Sequence, residues 1–114
     1  HDAIQKLIGK EEKTKINLKS GSKTYRLNKE DILFVQTDNV YLEVHLADTK
    51  YLVRAKLADF IDELNMDEMI QVHRSYAVNL AHVKSFDSKT IQIGTEEIPV
   101  SKSHVKEVGE RLQD

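Results

Sequence analysis

The stretch DNVYLEVHLADTKYLVRAKLADFIDELN, residues 38–65, carries two periods. From Val40 to Leu46 apolar and polar residues alternate, with Leu42, Val44 and Leu46 on one face and Tyr41, Glu43 and His45 on the other. A period of two predicts a strand with one face buried. Asp38-Asn39 before it and Ala47-Asp48-Thr49 after it are turn residues. KYLVRA, residues 50–55, then returns as the second arm of a hairpin. At Leu57 the period changes. Leu57, Phe60, Ile61 and Leu64 fall at i, i+3, i+4 and i+7, one apolar stripe of a helix whose acids lie mostly on the other face.

Outward from this stretch, the strand signal dominates. Upstream, TKINLK (14–19) alternates, SGS (20–22) turns, and KTYRLN (23–28) returns with Tyr25 and Leu27 on one face. NKED connects tightly to ILFVQT (32–37), whose apolar start predicts a buried strand. Downstream, IQV (70–72) leads as a strand into VHRSYAVN (72–79), and Asn79-Leu80-Ala81-His82 is a short turn. VKSFDS and TIQIG (83–94) are strands meeting near Asp87-Ser88-Lys89. EEIPV (96–100) is one more strand, at an edge because of Pro99. Ser101 is expected to cap a last helix with Val105, Val108 and Leu112 as its stripe, weakened by Gly109. The count is nine or ten short strands and two short helices. In residues 1–13 Ile4, Leu7 and Ile8 have helical spacing that Gly9 interrupts, so a linker or the end of a preceding element is expected there; the chain opens on His1 and not on Met, so a domain is expected before it.

The 114 residues are the size of one domain, and 39% hydrophobic with 32% charged residues is a globular composition. No apolar run approaches the ~18 residues that span a bilayer. No signal peptide is visible. Without Cys there is no disulfide framework and no thiolate site, which fits a reducing cytoplasm. The net charge of −2 is not that of a typical nucleic-acid binder. The charge is segregated, however. Leu57–Ile70 holds five acids and no Lys or Arg, whereas Gln71–Lys84 and Ile98–Lys106 hold no acid at all. Such a chain has either an anion-facing side or solvated faces of unequal charge.

His73-Arg74-Ser75 stands between apolar segments and admits three chemistries. A Ser75 nucleophile with His73 as base is disfavoured, since two residues apart on a strand they lie ~7 Å from each other. No nucleophile elbow and no phosphate-binding glycine loop is present. Carboxylate neighbours Asp62-Glu63 and Glu96-Glu97 read as solvated charges, so no enzyme activity is expected. Metal binding has no support in the spacing of His1, His45, His73, His82 and His104, and no cofactor is expected. Anion recognition fits best. Arg74 can grip phosphate or read guanine bidentately, and Lys102-Ser103-His104 opens a helix whose N–H groups face outward. Asn39 can pair with adenine. The structural alternatives stay open at this point: a salt bridge for Arg74, turn formation for Asn39, capping for Ser101, packing for Tyr41 and Tyr76.

The run YRLNKEDILFVQTDNVYLEVH, with VHRSYAVNLAHV and IPVSKSHVKEV after it, resembles the LytTR DNA-binding domain of bacterial two-component response regulators. The resemblance extends from about Lys15 to Leu112. It implies a mostly β fold, with about ten short strands in three small antiparallel sheets and one or two short helices, over residues 14–114. It implies loops in successive major grooves in place of a recognition helix. The contacts it implies come from Asp38–Tyr41, with Asn39 and Tyr41 the candidates, from His73, Arg74 and Ser75, and from Lys102, Ser103 and His104. Tyr76, Val78 and Leu80 would hold Arg74 from the core side. The family often has Arg in the third loop where this chain has Lys-Ser-His. The implied partners are double-stranded DNA with repeated half-sites and an N-terminal receiver domain, with the isolated domain a monomer that pairs on DNA. An acidic protein partner on the same surface is the other reading.

Overall fold

A computed structural model describes residues 15–113, so the expected linker lies outside the described residues. Among the described residues there are ten strands and two α-helices. In chain order they are β1 (Lys15–Ser20), β2 (Lys23–Asn28), β3 (Phe34–Asp38), β4 (Tyr41–His45), β5 (Lys50–Arg54), α1 (Leu57–Leu64), β6 (Met69–His73), β7 (Tyr76–Asn79), β8 (Val83–Phe86), β9 (Thr90–Ile93), β10 (Glu96–Pro99) and α2 (Val105–Gln113). Single turns of 3-10 helix at Lys29–Asp31 and Leu80–His82 complete it. The strands form three antiparallel sheets: β1-β2, β10-β9-β8, and a central β5-β4-β3-β7-β6.

The β3-β7-β6 part of the central sheet is buried on both faces, which explains why those strands lose the clean alternation that β4 keeps. On one face Val35, Leu42, Val44 and Ala77 pack against Ile16 and Leu18 of β1 and Leu57, Phe60 and Leu64 of α1. On the other, Phe34, Ile70, Val72 and Val78 pack against Ile91, Ile93, Ile98 and Val108, from the three-stranded sheet and α2. Tyr76 and Leu80 lean on that second core, as the sequence predicts. Burying a Leu or Phe side chain is worth about 1.5–3 kcal/mol of transfer free energy, so the two clusters fix β7 from both sides.

Asn79 is the one buried polar residue of the described chain. Its Nδ2 donates to the Ile32 carbonyl at 2.9 Å, its Oδ1 accepts from Ala81 N–H at 3.0 Å, and its own N–H reaches Leu33 O at 2.9 Å. The segment Asn79–His82 does turn, as expected, but Asn79 itself ends β7 and clamps it to the entry of β3.

Two expectations need correction. Ser101 does not cap α2. The chain makes a turn first, closed by His104 N–H to Ser101 O at 3.0 Å, and the first helical bond runs from Val108 N–H to His104 O at 3.0 Å. His104 is therefore the last residue before the helix. The turn preceding β4 is Asn39-Val40, not Asp38-Asn39: Asp38 still pairs with Tyr41, and Asn39 takes the left-handed φ of 61° that a tight hairpin needs.

Candidate nucleic-acid interface

Antiparallel pairing decides which loops meet. β3 runs toward the Asn39-Val40 turn, and β7 leaves the Arg74-Ser75 turn beside it, in the register Gln36 opposite Tyr76. The Ser75 carbonyl accepts Thr37 N–H at 2.9 Å, tying the two turns together. The connection after β10 joins at the same end, where Ser101 N–H donates to Val72 O at 2.9 Å. Three loops separated by dozens of residues thus share one end of the central sheet.

Asn39, Val40 and Tyr41 are exposed there, Val40 and Tyr41 at 51% and 44%. Exposed large apolar residues beside an Asn and an Arg point to a contact surface. Arg74 is exposed at the tip of its turn, with His73 and Ser75 half-buried on either side. Ser75 and His73 do come together, but differently from a strand: the backbone bends, and the Ser75 N–H, not its hydroxyl, donates to His73 Nδ1 at 3.1 Å. That geometry orders the turn and leaves no nucleophile–base pair.

The sequence reading missed two cations. Hairpin register sets Arg54 opposite Tyr41, and Lys56 follows it into α1. Arg54, Lys56 and Arg74 line one open groove with Asn39 and Val40, where the one carboxylate is Asp59. The signal was available: a β4-β5 loop that leaves His45 opposite Lys50 forces the Tyr41–Arg54 pair. Among the described residues the ion pairs are those of Glu43 with His45 (3.0 Å) and Lys50 (3.4 Å). Arg54, Lys56, Arg74 and Lys102 form none, so their charges remain available to an anion.

The third loop is split. Lys102 and Ser103 are exposed. His104 is half-buried, its Nδ1 within 2.5 Å of Ser101 Oγ and 3.2 Å of Ser103 Oγ. It lines a separate cleft with Ile61, Gln71 and Glu107, away from the Arg74 groove. The Asp62-Glu63 and Glu96-Glu97 neighbours are all exposed. Among the described residues no three His, Asp or Glu side chains gather as metal ligands would, and no helix is long and apolar enough to cross a membrane.

Known proteins share this sequence and fold. The chain superposes on a LytTr DNA-binding domain from Bacillus cereus with a TM-score of 0.71 at 21% identity, covering 88% of this chain and 96% of that one. It is 33% identical over 72 residues, 63% of this chain, to the CO-responsive transcriptional regulator RcoM of Rhodospirillum rubrum. It is 29% identical over 104 residues, 86% of this chain, to the sensory transduction protein LytT of Bacillus subtilis. The matched parts are 30% and 43% of those two proteins, so this chain spans less than half the length of either. Residues 22–113 match the LytTr DNA-binding domain as a family, and the chain belongs to it.

Proposed function

We propose that the domain binds double-stranded DNA sequence-specifically, as the output part of a transcriptional regulator, with the loops at one end of its central sheet in major grooves. The observation that carries this is the gathering of three loops and four free cations at that end. Arg74 reads a base edge or grips phosphate. Asn39 and Tyr41 contact the neighbouring bases, and Ser75 and Ser103 donate from the loop edges. Lys102, Arg54 and Lys56 meet phosphates as positive charges. His104 acts by holding Ser101 and Ser103, and His73 by its place beside Arg74.

With 3–5 phosphates neutralised, log K should fall against log salt with a slope of roughly −3 to −5. That predicts modest affinity for a single copy. The domain is monomeric alone and pairs on repeated half-sites, where tethering raises occupancy through effective concentration. The names of two relatives, a transcriptional regulator and a sensory transduction protein, support a place in a longer sensory protein. An N-terminal receiver domain joined through residues 1–13, acting in the cytoplasm, fits that reading.

The test is fluorescence anisotropy with a duplex selected from a random pool, against its scrambled counterpart, across a salt series. Wild type should prefer the selected duplex. Arg74→Ala should lose about 1–3 kcal/mol of that preference. Failure to enrich any duplex would reject the DNA reading and leave the acidic protein partner.

A further inference from the structure

The turn that carries Arg74 is built unlike the other two-residue hairpins. Each of those begins its loop with a residue of positive φ: Gly21 at 64°, Asn39 at 61° and Gly94 at 59°. Arg74 and Ser75 have no positive φ, and the register of β6 against β7 slips between Gln71 and His73. A side chain closes this turn instead. The Ser75 N–H donates to His73 Nδ1 at 3.1 Å. Gln71 Nε2 donates to the His73 carbonyl at 3.2 Å, and the Tyr76 ring meets the imidazole edge-on with centroids 5.6 Å apart.

A backbone N–H can only donate, so Nδ1 must accept and carry no proton. The neutral ring then holds its proton on Nε2. The other described histidines carry no such demand. His45 Nε2 faces the Glu43 carboxylate and His82 Nε2 faces the Glu30 carbonyl, both of which accept from a protonated nitrogen. His104 Nδ1 faces two hydroxyls, which can turn to donate or accept. Among the four, His73 alone loses its bond when its ring gains a second proton.

We propose that His73 is the positioning residue of the DNA-reading turn: its neutral Nε2–H form holds Arg74 and Ser75 in the reading geometry, and protonation of Nδ1 releases them. The proposal rests on the DNA reading above. The charged and titratable groups on the elements around the turn are Arg74 itself, Asp38 at the end of β3, Tyr76 on β7, Lys102 and His104 beyond Ser101, and Tyr41, Arg54, Lys56 and Asp59 across the groove that Arg74 lines. Among the described residues none of them forms an ion pair with His73. A protonated His73 adds attraction to any phosphate backbone while removing the shape that separates one duplex from another. Sequence preference should therefore fall with pH while affinity for a scrambled duplex holds or rises. A histidine used as a cationic phosphate contact would instead strengthen both duplexes together on acidification.

The experiment uses the 114-residue chain, its selected and scrambled duplexes, and three substitutions. In His73→Asn the side-chain carbonyl takes the place of Nδ1 and accepts at every pH. His73→Gln sets the acceptor one atom too far, and His73→Ala has none. Losing one hydrogen bond's net worth, the Ala and Gln variants should drop the selected-to-scrambled ratio about three- to tenfold at pH ~7.5. Wild type should show a drop in the same direction once acidification protonates the His73 ring, and His73→Asn should keep its ratio across the whole pH series. Free of DNA, the ¹⁵N shifts of His73 should report the Nε2–H form, and the Ser75 amide resonance should move as that ring titrates. A wild-type ratio that stays unchanged while the ¹⁵N shifts show the His73 ring gaining its second proton, or an Asn variant no better than Ala, overturns the proposal. A ring found in the Nδ1–H form overturns it without DNA. If no duplex is preferred at any pH, the DNA reading falls, and the Ser75 amide still decides whether His73 holds the turn.

Discussion

The two ends of the central sheet use polar side chains in opposite ways. At the far end they are consumed by the fold. Asn79 bonds the Ile32 carbonyl and Ala81 N–H, His82 reaches the Glu30 carbonyl, and the Arg111 guanidinium donates to the Asp67 carbonyl. At the loop end Arg54, Lys56, Arg74 and Lys102 stand free of ion pairs among the described residues. The apolar Val40 and Tyr41 are exposed beside them. Most described cations outside this end are also free of ion pairs, so what marks the loop end is that four cations share it with exposed apolar side chains. The difference teaches that charge count alone misleads here: a net charge of −2 coexists with a cationic end.

Substitutions at the two ends should separate stability from recognition. The largest effect is expected at Asn79→Ala. It leaves the buried Ile32 carbonyl without its partner, at about 1–3 kcal/mol, and removes the part-buried bond to the Ala81 N–H, which water can replace. Denaturant midpoints measure it, and the folded fraction should keep its preference for the selected duplex. Arg74→Ala should do the reverse, losing duplex preference while unfolding stays within about ±0.5 kcal/mol of wild type, as for other surface changes. If Arg74→Ala proved as destabilising as Asn79→Ala, the contrast between the ends would collapse.

Arg54→Ala and Lys56→Ala test the missed cations and should be milder. Each should weaken selected and scrambled duplexes alike and reduce the salt slope by about 1. A loss confined to the selected duplex would move that residue from the phosphates to the bases.

Local elements were legible because their periods are local. The alternation of Val40–Leu46 and the stripe of Leu57, Phe60, Ile61 and Leu64 each became the predicted element. Pairing was not legible. β3 meets β7 some 40 positions later (Gln36 opposite Tyr76), and nothing within either segment specifies that neighbour. The family resemblance supplied the three sheets where periodicity could not. Asn79 looked like turn chemistry because a buried Asn and an exposed turn Asn are the same letter. Ser101 looked like a cap because a Ser ahead of an apolar stripe usually is one, yet Lys102-Ser103-His104 add a turn before the helix starts. Arg54 carries no signal within its own strand, and only counting the hairpin register sets it beside Tyr41. What the site needed was tertiary proximity, which hydrogen bonds such as Ser101 N–H to Val72 O encode and residue types do not.

The smallest effect sharpens the comparison at Asp87. The β8-β9 turn lies against the loop end, where Val100 N–H donates to the Lys89 carbonyl at 2.8 Å. Here a carboxylate serves structure. Asp87 Oδ1 accepts Lys89 N–H at 2.7 Å and Thr90 N–H at 2.8 Å. The Lys89 and then the Thr90 backbone bonds hold its carboxyl below the ordinary value of 3.8. A carboxyl lowered in the folded state gives stability that is complete above its unfolded value and lost as pH falls through the folded one. Thermal midpoints taken from about pH 6 down to about pH 2 should therefore show a shallow acid decline that Asp87→Ala flattens while lowering the plateau. Asp87→Asn keeps an acceptor for both N–H groups, so it should flatten the decline and hold the plateau closer to wild type. Because Asp87 is fully exposed, the shift should stay well below that of Asn79→Ala. Duplex preference should not change in either variant. If it did, the β8-β9 turn would have to be counted with the three loops as part of the DNA-facing end.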